Sequence, residues 1–409
     1  MRIKGRIHLS KIVNIMLLLL LTFIALGAYW ETNSITIFVF LIAAIILFIS
    51  NPKLVMGALF RHKSAIYWSV LIIVSFISTV LMRGSFALST VYIELSIFFI
   101  VFTFTRYWEP VSFFCLFRYF ILILSIISLF GYIAGIDFFL FLKAGTGYSS
   151  IDLKVGGGIS TVFEYRHYYG VYLIVAFFIQ VMMPFKKFAN NFVAVMCFVL
   201  NILLTYTRNT WITLCLCGLI AVFHNYRGKI KKKYIYRFLI VLLVVVILSG
   251  LFIEIAVPMI RNVLKRMADA FDTTNSDFGG ARGYSIIHGT LYILRRWLKY
   301  IWIGGGSGFA MSWLKANPYE WWTAAIDCQY VTTFMDVGLL GLIILIWILV
   351  YSIRNFGCIK SSIEKLICMS LFSIGVSMFF FEVIGTCTSV FILWNICLCG
   401  LSLEKQSVK

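Results

Sequence analysis

Hydrophobic positions along this chain gather into long unbroken runs, and the polar positions fall almost entirely between them. Apolar runs lie near 12–30, 34–50, 65–82, 86–105, 111–135, 168–184, 189–205, 210–224, 235–257, 329–352, 366–383 and 387–403. Each is close to the roughly 20 residues an α-helix needs to cross about 30 Å of hydrocarbon. The ten-residue alternation of a membrane β-barrel is absent from the sequence. The pattern predicts an all-α polytopic membrane protein with about twelve transmembrane helices.

One interval breaks the rhythm. Pro258 to Asp327 is polar by comparison and, at about seventy residues, far exceeds a simple connection between two spans. Three parts follow: residues 1–257 with nine spans and a smaller outer loop near 136–167, the large loop 258–327, and residues 328–409 with three spans and a tail. Within the large loop, Pro258 suits the first turn of a helix, and Ile260, Val263, Leu264, Met267 and Phe271 recur at helical spacing. The breaker cluster "TTNSDFGGARG" comes next, followed by an amphipathic helix from about Tyr284 to Trp302 that "GGGSG" at 304–308 ends.

Charge orients the spans. Lys and Arg recur on one side: Arg2, Lys4, Arg6 and Lys11, then Lys53, Arg61 and Lys63, then Arg106, Lys186 and Lys187, the block "YRGKIKKKYIYR", Arg354, Lys360 and Lys365, and finally Lys405 and Lys409. By the positive-inside bias, both termini belong in the cytoplasm. The large loop, the 136–167 loop and the turn "TYTRN" then share the outer face. A composition of 62% hydrophobic and 12% charged residues excludes an ordinary soluble globule. The net charge of +19 reads as topology signal and contact with anionic lipid, because the cations are interleaved with spans and form no nucleic-acid-binding face. The basic, then apolar, N-terminus resembles a signal peptide, but its run is long and Leu26 occupies a position where cleavage wants a small residue, so it reads as a first span. Most of the ten cysteines lie in apolar runs and read as packing, while Cys328 and Cys387 sit near span ends where they could meet.

Arginines dominate the candidate chemistry. Arg208 sits in a turn too short to leave the membrane surface, where a guanidinium is costly without a partner. Arg282 is flanked by glycines that allow close approach of a ligand, and a guanidinium fork suits phosphate. Arg166, with His167 and Glu164 beside it, reads either as an interfacial anchor or as a site wall. For acid–base work the candidates are Asp327, Glu164 and His288; Asp327 reads equally as a helix cap, and His288 as an interfacial residue. Asp336, two turns into a span, reads as a partner for one of the arginines; Glu94, Glu254 and Glu382 are further acids at membrane depth that either pair or mark a pathway. The "GGGSGF" segment lacks the pattern of a nucleotide-binding loop, though its backbone N–H groups are of the kind that hold anions. No His, Cys and carboxylate cluster has metal-ligand spacing, which predicts no metal or other cofactor, with arginines stabilising a leaving diphosphate.

In order and spacing, "TYTRNTW", "GGARG", "IWIGGGSGF" and "DCQYVTTFMDVGLLGLI" resemble the O-antigen polymerase and O-antigen ligase superfamily over roughly 155–345. The resemblance implies a GT-C-like, inverting, metal-independent glycosyltransferase acting on undecaprenyl diphosphate-linked oligosaccharides at the periplasmic face. It implies that Arg208 and Arg282, with Arg166, bind the diphosphate. Ligases of this kind carry His-Asn where this chain has Asp327–Cys328, which favours the polymerase, joining one repeat unit to the next. The alternatives are a ligase that transfers glycan to lipid A-core and, from another class, a transporter of lipid-linked oligosaccharide. The expected partners are the lipid-linked oligosaccharide, membrane lipids and a chain-length regulator, with no nucleic acid.

Overall fold

A computed structural model describes residues 2–30, 32–59, 63–83, 88–136, 138–139, 159–163, 165–226, 281–295, 299–318, 326–359, 361–384 and 387–401. These residues form helices: α1 (Arg2–Trp30), α2 (Asn33–Ser50), α3 (Pro52–Leu59), α4 (Lys63–Arg83), α5 (Leu88–Phe104), α6 (Pro110–Ala134), α7 (Arg166–Met182), α8 (Phe188–Leu204), α9 (Arg208–Tyr226), α10 (Ala281–Arg295), α11 (Lys299–Ile303), α12 (Phe309–Ala316), α13 (Gln329–Cys358), α14 (Ser362–Ser377) and α15 (Thr388–Gly400). The fold is all-α, as the runs predicted. Four of the helices are long and apolar enough to cross a membrane, in α1, α2, α6 and α13; the apolar stretches of α4, α5, α8 and α15 are shorter. Among the described residues that is fewer than the spans expected, about twelve, and one expected run, near 235–257, lies outside them. The helix near Pro258 and the "TTNSDFGG" break also lie outside the described residues. The described residues of the amphipathic stretch expected from Tyr284 to Trp302 are helical, in α10 up to Arg295 and in α11 from Lys299.

The chain divides into two compact units. The first comprises 1–113, 273–352 and 374–409, and the second 114–272 and 353–373. In the first, α1, α2, α4, α5 and α15 pack on one another. Helices in lipid gain little from hydrophobic exclusion and associate through close packing and buried hydrogen bonds. Asn14 of α1 illustrates this: its Nδ2 donates to the Glu109 carbonyl at 3.0 Å, and its Oδ1 accepts from the Glu109 N–H at 3.2 Å. Arg106, in the connection between α5 and α6, is buried: its Nη2 donates to the Cys399 carbonyl at 3.1 Å, and the guanidinium lies 4.6 Å from the centre of the Phe102 ring. No disulfide joins Cys328 and Cys387, so the bridge considered for them is not formed in this structure.

In the second unit α7, α8 and α9 form a three-helix layer. Tyr169, fully buried on α7, shares hydrogen bonds with Ser125 of α6 at 3.1 Å and Asn201 of α8 at 3.2 Å, which gives one phenol two helices to hold. Gly170 sits so close to Thr210 of α9 that any Cβ there would overlap its side chain.

Helix α13 is not continuous. Gly338 has φ 78° and ψ −166°, which interrupts the helix after its first nine residues. Replacing Gly338 with Ala demands a left-handed backbone from a residue with a Cβ, and places that Cβ against the Trp302 carbonyl. The expected outcome is a destabilisation of about 3 kcal/mol or more, measured as a lower unfolding midpoint and lower steady-state level in membranes. Gly57→Ala, in a helix with nothing within 4 Å of the added carbon, serves as the neutral control.

Candidate functional site

The break at Gly338 exists to receive another backbone. The three glycines 304–306 lie against it: the Gly305 N–H donates to the Met335 carbonyl at 2.8 Å and the Gly306 N–H to the Asp336 carbonyl at 2.9 Å. Gly304 has φ 68°, and a Cβ there would overlap the Asp336 peptide. Helix α4 closes the third side. Ser78 Oγ donates to the Ile303 carbonyl, and the Ser307 N–H donates to Thr79 Oγ1 at 2.9 Å. The following helix, α12, starts at a glycine with no side-chain oxygen to cap it. Asp336 supplies the cap from α13: its Oδ2 accepts the Gly308 N–H at 2.9 Å and its Oδ1 the Ala310 N–H at 2.8 Å. A carboxylate at a helix N-terminus satisfies orphan donors and opposes the helix dipole.

Beside this junction, within the first unit, lies a cavity of about 140 Å³. Three carboxylates line it: Glu94 from α5, Asp336 from α13 and Glu382 from the non-helical connection between α14 and α15. Glu382 is 4% exposed and well supported, accepting from the Ile326 N–H at 3.1 Å and from Thr332 Oγ1 at 2.8 Å. Gln329 braces the same corner. Its Oε1 accepts from the N–H groups of Val383 and Ile384, both at 2.7 Å, and its Nε2 donates to Thr333 Oγ1 at 3.1 Å. Glu94 differs from both other acids, being 8% exposed with no hydrogen-bond partner among the described residues.

The second unit has its own candidate site, at the end of its layer where α7 and α9 begin and α8 ends. The segment 159–163 is tied to this end by the Ile159 N–H, which donates to the Leu204 carbonyl at 2.9 Å. The chain turns sharply from α8 to α9 through Tyr206, whose φ of 50° is uncommon for a bulky residue. Threonines hold that turn: Thr205 Oγ1 and Thr207 Oγ1 are 2.9 Å apart, and Thr207 is hydrogen-bonded in turn to Thr210. The Tyr206 hydroxyl meets that of Tyr132 at 3.1 Å. This strained, hydroxyl-braced turn delivers Arg208 as the first residue of α9, half-buried. Among the described residues no carboxylate and no hydrogen-bond acceptor partners Arg208. Arg166, also half-buried, opens α7 at the same end.

The residues singled out from the sequence therefore separate. Arg166 and Arg208 share one end of the second unit. His288 is exposed on α10, with its ring 4.3 Å from that of Tyr284 one turn earlier. Arg282 lies in the first turn of α10, so the glycine-flanked loop expected around it is helical on its C-terminal side. Glu164 lies outside the described residues. Asp327 has φ 59° and precedes Cys328, the residue before α13, so it does not occupy the cap position. Asp336 accepts from two backbone N–H groups, and these bonds with the others of the junction commit the "GGGSGF" segment to the fold, leaving it unlike an anion cradle. From the sequence Gln329 had no role, and Glu94 and Glu382 stood only as acids that pair or mark a pathway; an acid inside an apolar run was the available signal.

Asp336→Asn keeps the shape but loses the charge and places an amide NH₂ against one of the two N–H groups. The expected cost is about 1.5–3 kcal/mol, read as a lowered unfolding midpoint of the purified chain. Asp336→Glu, with its longer reach, should recover little of it.

Residues 193–346 match the family described as O-Antigen ligase. The matched stretch is under half of the 409 residues and spans Arg208, Arg282, the glycine segment and Asp336. No curated protein matches the chain. The match supports a relation to the broader O-antigen ligase and polymerase superfamily, and its description names the ligase where Asp327–Cys328 had favoured the polymerase. Over residues 193–346 the chain is thus similar to the O-antigen ligase family.

Proposed function

We propose that the chain is a membrane glycosyltransferase that moves an O-antigen-type glycan from a lipid diphosphate to an acceptor hydroxyl. The observation that carries this reading is Arg208. A guanidinium with no partner among the described residues, half-buried at the head of an apolar helix and fixed there by a strained turn, is costly unless an anion completes it. A diphosphate is such an anion, and it matches the guanidinium fork in two parallel hydrogen bonds.

In the reaction, the acceptor oxygen attacks the anomeric carbon from the face opposite the diphosphate, so the configuration inverts. The bond from that carbon to the diphosphate oxygen breaks and its electron pair leaves with the diphosphate. Arg208, with Arg166 at the same end of its unit, neutralises that developing charge, and Arg282 is the third arginine assigned to it. The acceptor proton goes to a carboxylate or imidazole, with Asp327, His288 and Glu164 as the candidates. Lys and Arg bias along the sequence supports an extracytoplasmic site in a bacterial inner membrane with both termini inside. The donor is an oligosaccharide on undecaprenyl diphosphate.

The family description favours a ligase, which hands the glycan to a lipid A-core acceptor. A second reading, the polymerase that joins repeat units, rests on Asp327–Cys328 at the start of α13. Deletion separates them on a gel of surface polysaccharide: bare core marks a lost ligase, and core with a single unit marks a lost polymerase. In either case Arg208→Ala, expressed at the level of the intact chain, should lower transfer about a hundredfold or more, as removal of one transition-state charge partner does. Arg208→Lys should recover only part of that. Unchanged polysaccharide with Arg208→Ala would overturn the assignment of the diphosphate to this arginine.

A further inference from the structure

We infer that the cavity of the first unit is a binding subsite for a sugar bearing free hydroxyls, with Glu94 as the group that receives them. The polar groups around the cavity are already committed on one side of the ledger of donors and acceptors. Gln329 spends its amide on Thr333 and its carbonyl on Val383 and Ile384, and Thr332 gives its hydroxyl proton to Glu382. Asp336 and Glu382 each accept two donors from the protein. Glu94 and the Ser75 hydroxyl are left, both nine-tenths buried, lining the cavity and without a side-chain hydrogen bond among the described residues. A buried carboxyl group without a hydrogen-bond partner is costly in either protonation state, so the cavity suits a ligand whose hydroxyls can donate to it or accept from it.

Geometry narrows the chemistry. Among the described residues no three carboxylate, thiol or imidazole groups converge closely enough to hold a metal ion. A neutral polyol fits better, since it donates to Glu94 while its C–H faces rest on Leu71, Ile72, Met311 and Val337. Size agrees: at about 10–15 Å³ for each water-sized group, the cavity of about 140 Å³ has room for roughly ten of them, close to one sugar ring. The hydroxyls belong either to the acceptor sugar or to a sugar of the donor glycan, and the kinetics below tell which. This inference rests on the proposed glycan transfer for its choice of substrate, but its binding test does not.

The experiment uses the full chain purified into lipid nanodiscs, intact and as Glu94→Gln and Glu94→Asp. Thermal unfolding is followed with and without the free oligosaccharide repeat unit. A saccharide-dependent rise in midpoint for the intact chain, absent in Glu94→Gln and reduced in Glu94→Asp, supports the subsite; equal rises in all three overturn it. A rise driven instead by sodium or potassium chloride at constant ionic strength overturns it in favour of a cation site. In transfer assays Glu94→Gln should raise one KM about tenfold, the loss expected for a hydrogen bond to a charged group. A raised acceptor KM places the acceptor in the cavity, and a raised donor KM places the donor there. Unchanged values of both overturn the inference. Saccharide binding that depends on Glu94 in a chain that transfers nothing would overturn the proposed function and leave the subsite standing.

Discussion

The first unit depends on one carboxylate and one missing side chain. Asp336 caps α12 from the broken turn of α13, and Gly338 makes that turn possible by taking a backbone conformation that other residues avoid. Because the break exposes carbonyls of Met335 and Asp336, the glycine segment 304–306 can hydrogen-bond to them as a short extra strand of backbone would. Irregular backbone at such depth is tolerated only where protein groups satisfy it. Here Ser78 and Thr79 of α4 complete that satisfaction, so a polar junction forms among three helices and the long loop's C-terminal end. The acidic cavity lies beside this junction because Asp336 faces both.

The second unit solves a different problem with different means. It holds Arg208 at a helix end with no counter-charge among the described residues, in a turn braced by hydroxyls. Thr205, Thr207 and Thr210 brace a turn whose central residue, Tyr206, is itself strained. Strain retained in a helix-to-helix turn is a common mark of a functional segment, and here it sits two residues before Arg208. The proposed diphosphate would supply the charge that the fold withholds.

Much of the architecture was legible in the sequence, because apolar runs report helices directly. The runs near 34–50, 65–82, 111–135 and 168–184 coincide with α2, α4, α6 and α7 to within a few residues. Gly338 was visible as a glycine but not as a break, since a glycine within an apolar run is as compatible with close helix packing as with an interruption. The role of Asp336 was hidden for a similar reason: its partners Gly308 and Ala310 are 28 and 26 residues away, and no local pattern announces a cap delivered from another helix. Likewise, nothing in "TYTRN" signals a left-handed Tyr206. Arg208 was found because charge inside an apolar context is a strong local signal, while Glu94 carried the same signal and acquired meaning only when the helices placed it at a cavity.

The central claim is that glycan leaves a lipid diphosphate at the arginine end of the second unit. Its most direct measurement is a reconstitution of the purified chain with an undecaprenyl diphosphate-linked oligosaccharide and either lipid A-core or a second lipid-linked unit. The account predicts that glycosylated acceptor and free undecaprenyl diphosphate appear together, in equal amounts, and that both vanish with Arg208→Ala. Intact donor in the presence of either acceptor, with the lipid-linked sugar instead moved from one leaflet to the other, would contradict it and identify a transporter.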